Sequence, residues 1–328
     1  MRTSLFLALQ SVQHSATSPA SPEARAIAHL FWWLLAVGAT IWLLVTAIAI
    51  WSAFARRGTP GEDGLMHVSA ATHSGMERVV IAATAVTAVI LMGFLVFDFS
   101  VGRALAAFPA QSLTVDVTGH QWWWEVNYED PNPSLSVKTA NEIHVPVGEP
   151  VQFKLASHDV IHSFWVPNMN GKRDLIPGYR SSIWFRADTP GVYRGQCAEF
   201  CGLQHAHMAF LVVAQTRPEF TKWLLQQRTG GAVPTDSLAV AGQQVFLSGT
   251  CALCHTIAGT PAHGTVGPDL THLASRRELA AGTAPNTRGY LGGWIVNPQS
   301  MKPGTLMPAN PLQPGQLQAL VAYLETLK

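Results

Sequence analysis

Charge is what this sequence has least of. Asp, Glu, Lys and Arg make up 12% of its 328 residues, against about a quarter in an ordinary soluble protein. Hydrophobic residues reach 48% and the mean hydropathy is +0.17, which excludes a purely soluble chain. With 21 basic and 20 acidic residues the net charge is only +1, so the basic excess that nucleic acid binding requires is missing. Apolar runs long enough to cross a bilayer are confined to the first third, whereas a channel or transporter would repeat them throughout. Cysteine is scarce too, four residues in two pairs beside 13 histidines. Internal repeats and low-complexity tracts are missing. The function must therefore be sought in the few Cys and His residues.

Residues 26–55 contain no Asp, Glu, Lys or Arg, and residues 79–100 contain only Asp98. Each run meets the requirement of ~20 apolar residues for a span, so residues 26–103 read as a two-helix transmembrane hairpin with spans at about 26–55 and 79–100. Trp32, Trp33 and Trp51 lie near the ends of the first run, where amphipathic rings sit at headgroup level. Arg56, Arg57 and Arg78 in the joining loop place that loop in the cytoplasm and both ends of the hairpin outside. Residues 1–25 are then an N-terminal outer segment. Its brief LFLAL run falls short of a signal-peptide h-region, which makes a cleaved signal peptide the weaker reading.

Beyond the hairpin, short segments such as SLTVDVTG, EIHVPVGEPVQFKLAS and MAFLVVAQ alternate apolar and polar residues between Gly and Pro turns. Residues 104–228 thus read as a small β-sandwich or barrel. Residues 229–236, TGGAVPTD, read as a linker. Residues 237–328 carry helical stretches, including SLAVAGQQVFLSG and PGQLQALVAYLETLK, and form an all-α second domain. Charge is balanced in both outer parts, with 10 basic against 11 acidic residues in 104–228 and 5 against 4 in 229–328.

Cys251-Ala-Leu-Cys254-His255 is the C-x-x-C-H pattern of covalent haem attachment. Two thiols one helical turn apart reach two vinyl groups, and the adjacent imidazole meets the iron. A zinc half-site would need a second pair at matching spacing. A redox C-x-x-C would need a βα context that is missing here. Downstream, Pro303-Gly304-Thr305-Leu306-Met307-Pro308 offers a thioether on a turn as the second axial ligand, with Met301 as the alternative. Together with Gly267-Pro268-Asp269-Leu270, the order of these motifs resembles a class I cytochrome c. In that family the axial Met falls on Met307, and Pro268 belongs to the loop supporting His255.

Cys197, Glu199, Cys201, His205 and Met208 fall within twelve residues. Thiolate, imidazole and thioether form a soft donor set suited to copper. A disulfide would leave the ordered His205 and Met208 unexplained, and Met is a poor zinc ligand. The stretch resembles the C-x-E-x-C-x-x-x-H-x-x-M loop of subunit II of the haem-copper cytochrome oxidases. That resemblance implies a dinuclear copper centre, CuA, in a cupredoxin-like β-sandwich. Cys197 and Cys201 would bridge the two coppers, His205 and Met208 would be ligands, and Glu199 would contribute its backbone carbonyl. The second histidine would be His162, in the segment Asp159-Val160-Ile161-His162-Ser163. His158 and His207 would not be ligands.

The same resemblance extends to supporting residues. Gly119-His120-Gln121-Trp122-Trp123-Trp124 resembles the family's aromatic segment, which makes Trp122 the candidate electron-accepting residue, against a plain packing role. Three successive rings on a strand should face both sides of the sheet, leaving at least one exposed. The Glu199 side chain matches a carboxylate that reaches Mg at the interface with subunit I, and residues 171–178 match a further segment near it. Glu77 matches weakly a proton-uptake glutamate, against a plain acid at a helix N-terminus. Asp98 reads as interfacial.

The fusion of both resemblances is similar to the caa-type oxidases, which carry their own cytochrome c. It implies a bacterial inner-membrane protein with both outer domains on the periplasmic side. Electrons would come from cytochrome c or a quinol-cytochrome c reductase. They would pass from haem c to CuA and on to haem a of subunit I, within an oxidase of several subunits that reduces oxygen to water and pumps protons. Two alternatives remain: the CuA subunit of a nitric oxide reductase, and a copper-delivery or redox-sensing membrane protein.

Overall fold

The computed structural model describes residues 11–55, 70–110 and 112–328. Arg56, Arg57 and the start of the N-terminal segment lie outside the described residues. The chain divides into two compact units, residues 26–107 and the remainder.

The first unit consists of two helices, α1 (Pro22–Phe54) and α2 (Ala70–Ala106). Both are long and apolar enough to cross a membrane. Their Trp, Leu, Ile and Val side chains are exposed along most of their length, a surface suited to lipid and not to water. Each helix extends beyond its apolar run. Once nucleated, a helix continues through residues that are merely compatible with it, and Ala70–Arg78 are. Glu77 is therefore the eighth residue of α2, with no acid in the first turn, and the reading of it as a helix N-terminal acid is corrected. Asp98 is exposed within the same helix.

The first residues of α1, up to Arg25, belong to the second unit. Pro22 occupies the first helical position, where its missing N–H costs nothing, and the Ser21 hydroxyl accepts from Ala24 N at 2.9 Å. Glu23 accepts from Arg186 N at 3.1 Å, and Arg25 pairs with Asp188. Upstream, β1 (Val12–Gln13) adds in parallel to a strand of the outer sheet, Val12 opposite Val192. The described part of the N-terminal segment is thus built into the β-domain.

That domain is a two-sheet sandwich of cupredoxin type. One sheet runs β4 (Val137–Ala140), β3 (Trp123–Tyr128), β2 (Leu113–His120), β6 (Val151–Ser157) and β9 (Ser181–Phe185). The other runs β5 (Glu142–Pro146), β11 (Ala209–Gln215), β10 (Gly191–Cys197), β7 (His162–Trp165) and β8 (Arg173–Leu175). Alternation buries Val115 and Val117 of β2 against Val151, Phe153 and Leu155 of β6 in one core with Trp124, Phe164 and Phe210. β5 and β11 do not alternate: every residue in them is buried. Their outer side is covered by α3 (Arg217–Gln227), whose Trp223 stacks on His144 at 4.0 Å, and by the C-terminal region, where Arg277 N donates to Glu142 at 3.0 Å.

The C-terminal region is helical, with α4 (Ser237–Ser248), α5 (Cys251–Cys254), α6 (Arg288–Val296), α7 (Pro298–Met301) and α8 (Pro314–Leu324). The Asp236 carboxylate caps α4 by accepting from Leu238 N and Ala239 N. Phe246, Leu291, Ile295, Leu320, Tyr323 and Leu324 form its separate core. The linker-like segment does not hang free: Gly231 N donates to Ala258 O at 2.8 Å and Thr229 O lies 3.1 Å from His272 Nε2.

Helices α4 and α8 cross at Gly242, where an added Cβ would stand 1.9 Å from Ala319 O. Gly242→Ala should force the helices apart and destabilise the helical region by about 1–3 kcal/mol. Hydrogen exchange of the α4 and α8 amides in the full chain, speeded by tenfold or more, is the expected readout.

Candidate functional site

The loop between β10 and β11 carries the soft donors, and the fold turns them towards one another. Cys197 ends β10, Cys201 follows four residues later, and His205 opens a short 3-10 turn that delivers Met208 to the start of β11. The Cys197 and Cys201 sulfurs are 3.7 Å apart, and both residues are free cysteines, since a disulfide would need ~2.05 Å. Cys201 Sγ lies 3.6 Å from His205 Nδ1 and 3.8 Å from Met208 Sδ. His162 Nδ1 stands 3.9 Å from Cys197 Sγ, and Glu199 O lies 3.2 Å from the same sulfur. His162, Cys197, Cys201 and Met208 are buried.

A buried cluster of two thiols, two imidazoles, one thioether and one carbonyl fits a thiophilic metal. His162, Cys197 and Cys201 alone place their donor atoms within 4.8 Å of one another. In the metal-free chain the Cys201 thiol donates to Cys197, which together with His162 holds Cys197 down to about 3. The Cys201 thiol, sharing that proton and buried, is pushed up. Cys197 is therefore the more acidic sulfur of the pair.

Asp159 supplies support that the sequence reading did not assign. Its carboxylate lies 2.8 Å from His162 Nε2, which fixes the ring and leaves Nδ1 facing Cys197. Burial would raise the Asp159 carboxyl, but His162 and the amides of Val160 and Gln121 together hold it low. His162 itself is raised: burial opposes its charge, and Cys197 and Asp159 outweigh that. Gly119 makes room for the ring, since a Cβ there would meet His162 Cδ2 at 2.7 Å. His158 and His207 are exposed; His158 leans on His120 at 4.8 Å and His207 Nδ1 lies 2.8 Å from Gln204 Oε1.

The second cluster lines an apolar cavity of about 240 Å³ in the helical region. Cys251, Cys254, His255 and Met307 all border it, as does Trp122. His255 Nδ1 lies 2.7 Å from Pro268 O, which leaves Nε2 as the ring nitrogen available to a metal. Gly267 is seated against the imidazole, with a Cβ there 2.6 Å from His255 Cε1. Met301 does not border the cavity; its Cε points at Gly293. Arg276, also unassigned from sequence, borders the cavity while buried, and its Nε has no hydrogen-bond partner among the described residues. An open guanidinium donor beside two free thiols, an imidazole and a thioether fits an apolar, iron-bearing macrocycle with acidic side arms.

Trp122 differs from expectation. It sits in the turn between β2 and β3, not in a strand, and it is 9% exposed, while Trp124 is fully buried and Trp123 half-buried. None of the three is exposed: Trp124 packs inside the sandwich core against Phe164 and Phe210, while Trp122 and Trp123 border the cavity of the helical region. Trp122 Nε1 donates to Cys201 O at 2.9 Å, and Gln121 Nε2 donates to the same carbonyl at 2.8 Å. One ring therefore joins the sulfur loop to the cavity. Glu199 is half-exposed.

The profile described as the periplasmic domain of cytochrome c oxidase subunit II matches residues 113–215, and that described as cytochrome c matches residues 239–328. Over 216 residues the chain is 42% identical to cytochrome c oxidase subunit 2 of Alkalihalophilus pseudofirmus, covering 65% of this chain and 61% of the relative. It is 30% identical over 249 residues to cytochrome c oxidase subunit 2 of Cereibacter sphaeroides, covering 64% of this chain and 79% of the relative. The chain belongs to the cytochrome c oxidase subunit 2 family. The chain nevertheless spans only about three-fifths of the length of the first relatives it matches. Among solved structures it is similar to the periplasmic domain of subunit II of cytochrome oxidase from Bradyrhizobium japonicum, with 31% identity, 37% of this chain and 97% of that chain covered, and a TM-score of 0.35.

Asp159→Asn should leave the sandwich folded and weaken metal binding by about 10–100-fold, the usual effect of losing a partner that orients a ligating His. Copper retained against a competing chelator is the measurement.

Proposed function

We propose that the chain is the electron-transfer subunit of a respiratory cytochrome c oxidase in a bacterial plasma membrane, with both outer domains on the periplasmic side. Cys251 and Cys254 would attach haem c, with His255 and Met307 as its axial ligands and Arg276 facing its acidic arms. His162, Cys197, Cys201, His205, Met208 and the Glu199 carbonyl would hold the dinuclear CuA centre. Bound there, the two groups supply reversible one-electron redox chemistry, from a cytochrome c or quinol-cytochrome c reductase donor towards haem a of subunit I, which would reduce oxygen and pump protons. The Glu199 carboxylate is proposed to face Mg at the subunit I interface.

What supports this reading above all is Trp122, whose indole donates to Cys201 O while its ring borders the Cys251–Met307 cavity. The chain's own residues bury the sulfur loop and hold one histidine at each site. The Cys197, Cys201 and Met208 side chains are buried, and His162 and His255 are each held by a second partner, Asp159 and Pro268. A soft donor set with such fixed neighbours suits a relay, which needs little rearrangement on gaining an electron.

A mixed-valence dinuclear copper signal in electron paramagnetic resonance, together with a c-type haem spectrum, is expected of the purified chain. Labile mononuclear copper would refute the relay, and the subunits that co-purify, with or without oxygen consumption, test the terminal acceptor. Because the haem-side and copper-side loops are already in contact, transfer between them should vary little with ionic strength. A steep fall in rate from low to high salt would contradict that.

A further inference from the structure

Lys302 follows α7 and stands five residues before Met307. It is 2% exposed, an unusual place for an ammonium. Its Nζ donates to Trp122 O at 2.7 Å, His207 O at 2.7 Å and Ala280 O at 2.9 Å. An ammonium has three N–H groups, and all three are used. The acceptors are main-chain carbonyls, and two of them belong to the β-domain: Trp122 in the β2–β3 turn, and His207 immediately before Met208.

The neighbours of Lys302 make the same junction. Gln204 Nε2 donates to Pro303 O at 2.7 Å. Gly304 has a positive φ of 85°, and a Cβ there would meet Leu203 Cδ2 at 3.1 Å and the Trp122 ring at 3.6 Å. Ala209 N donates to Ala281 O at 2.9 Å. The segment that carries Met307 is thereby seated on the segment that carries Cys201, His205 and Met208.

We propose that Lys302 is the positioning residue that locks the Met307 loop onto the Cys197–Met208 loop, so that electrons cross a preformed contact and not a diffusional encounter. The inference rests on the two-centre reading above and assigns its geometry to one side chain. A surface lysine facing a carboxylate would be screened by salt and worth little. A buried ammonium satisfied by carbonyls is screened far less, and its charge-assisted hydrogen bonds are directional. Removing it leaves Trp122 O and His207 O without their donor, while Ala280 O keeps the Thr283 hydroxyl, and the interface can relieve the two bare carbonyls only by opening to water. Electron transfer across the junction moves one electron from the haem to the copper centre, with no bond formed or broken.

The test uses the full chain with Lys302→Met and with Lys302→Gln, which keeps two donors. In the metal-free chain, Lys302→Met should speed hydrogen exchange in residues 201–208 and 302–307 at least tenfold. In the loaded chain, with haem and copper contents at wild-type levels, flash-initiated transfer from haem to copper should fall at least tenfold and become dependent on salt. The copper midpoint potential should fall as well, since a nearby positive charge is lost, and a residue that merely fills space would not move it. Lys302→Gln should lie between. Wild-type exchange and transfer in Lys302→Met overturn the proposal, and so does failure of both variants to take up haem or copper, which would make Lys302 a folding determinant. If instead the wild-type chain itself lacks dinuclear copper or transfers no electron, the functional reading falls while the exchange experiment still decides the lock.

Discussion

Two sulfur atoms held 3.7 Å apart without a bond between them are the constraint around which this outer domain is arranged. Bringing them together from one short loop requires that the loop start on one strand and end on its antiparallel neighbour. β10 and β11 provide that, with Gln196 paired to Ala209 across the ladder. Cys197 N donates to Met208 O at 2.9 Å, so the first and last donors of the loop are tied by the backbone itself. Burial then removes water, and the hydrogen bonds from Cys201 and His162 lower the Cys197 thiol relative to its partner.

The same loop has a second face, and the helical region is built against it. Trp122 and Gln121 both donate to Cys201 O, which leaves that carbonyl no freedom and places the indole between the sulfur loop and the apolar cavity. Further contacts spread along the junction. Arg194 faces Glu278 at 3.4 Å, and its Nη2 donates to Gly282 O at the same distance. The linker segment is bonded to the helical region at Ala258 and His272. A short tether raises the local concentration of its two ends, but a tether alone sets no orientation. Hydrogen bonds at Lys302, Gln204 and Ala209 do.

Neutrality of the two outer parts fits this picture. Proteins that meet by diffusion gain rate from complementary charge, whereas parts of one chain that stay in contact need shape and hydrogen bonds. The junction accordingly relies on carbonyl acceptors and on glycines that permit close approach. Gly304 against Leu203 and Gly282 against Ala209 are two positions where a side chain would stand in the way.

The candidate donors were legible in order and spacing alone. C-x-x-C-H, P-G-T-x-M and the Cys197–Met208 loop each compress their donors into one short segment, and local geometry then has few choices. Two apolar runs announced the helices, and the alternation in Val115–Val117 and Val151–Leu155 announced a sandwich. Helix ends were less legible, because Ala70–Arg78 continue a helix without an apolar reason to do so. That Met307 and not Met301 borders the cavity was also tertiary, since Met301 Cε lies against Gly293.

What the sequence determined by itself, then, was the set of donors and the kind of fold that holds them. Tertiary structure alone decided the rest: that Asp159 steadies His162, that Arg276 and Lys302 are buried with chosen partners, and that Trp122 is covered. The physical reason is sequence distance. Lys302 and Trp122 are 180 residues apart, and a partnership between a side chain and a remote main-chain carbonyl leaves no mark on the identity of the residue that accepts.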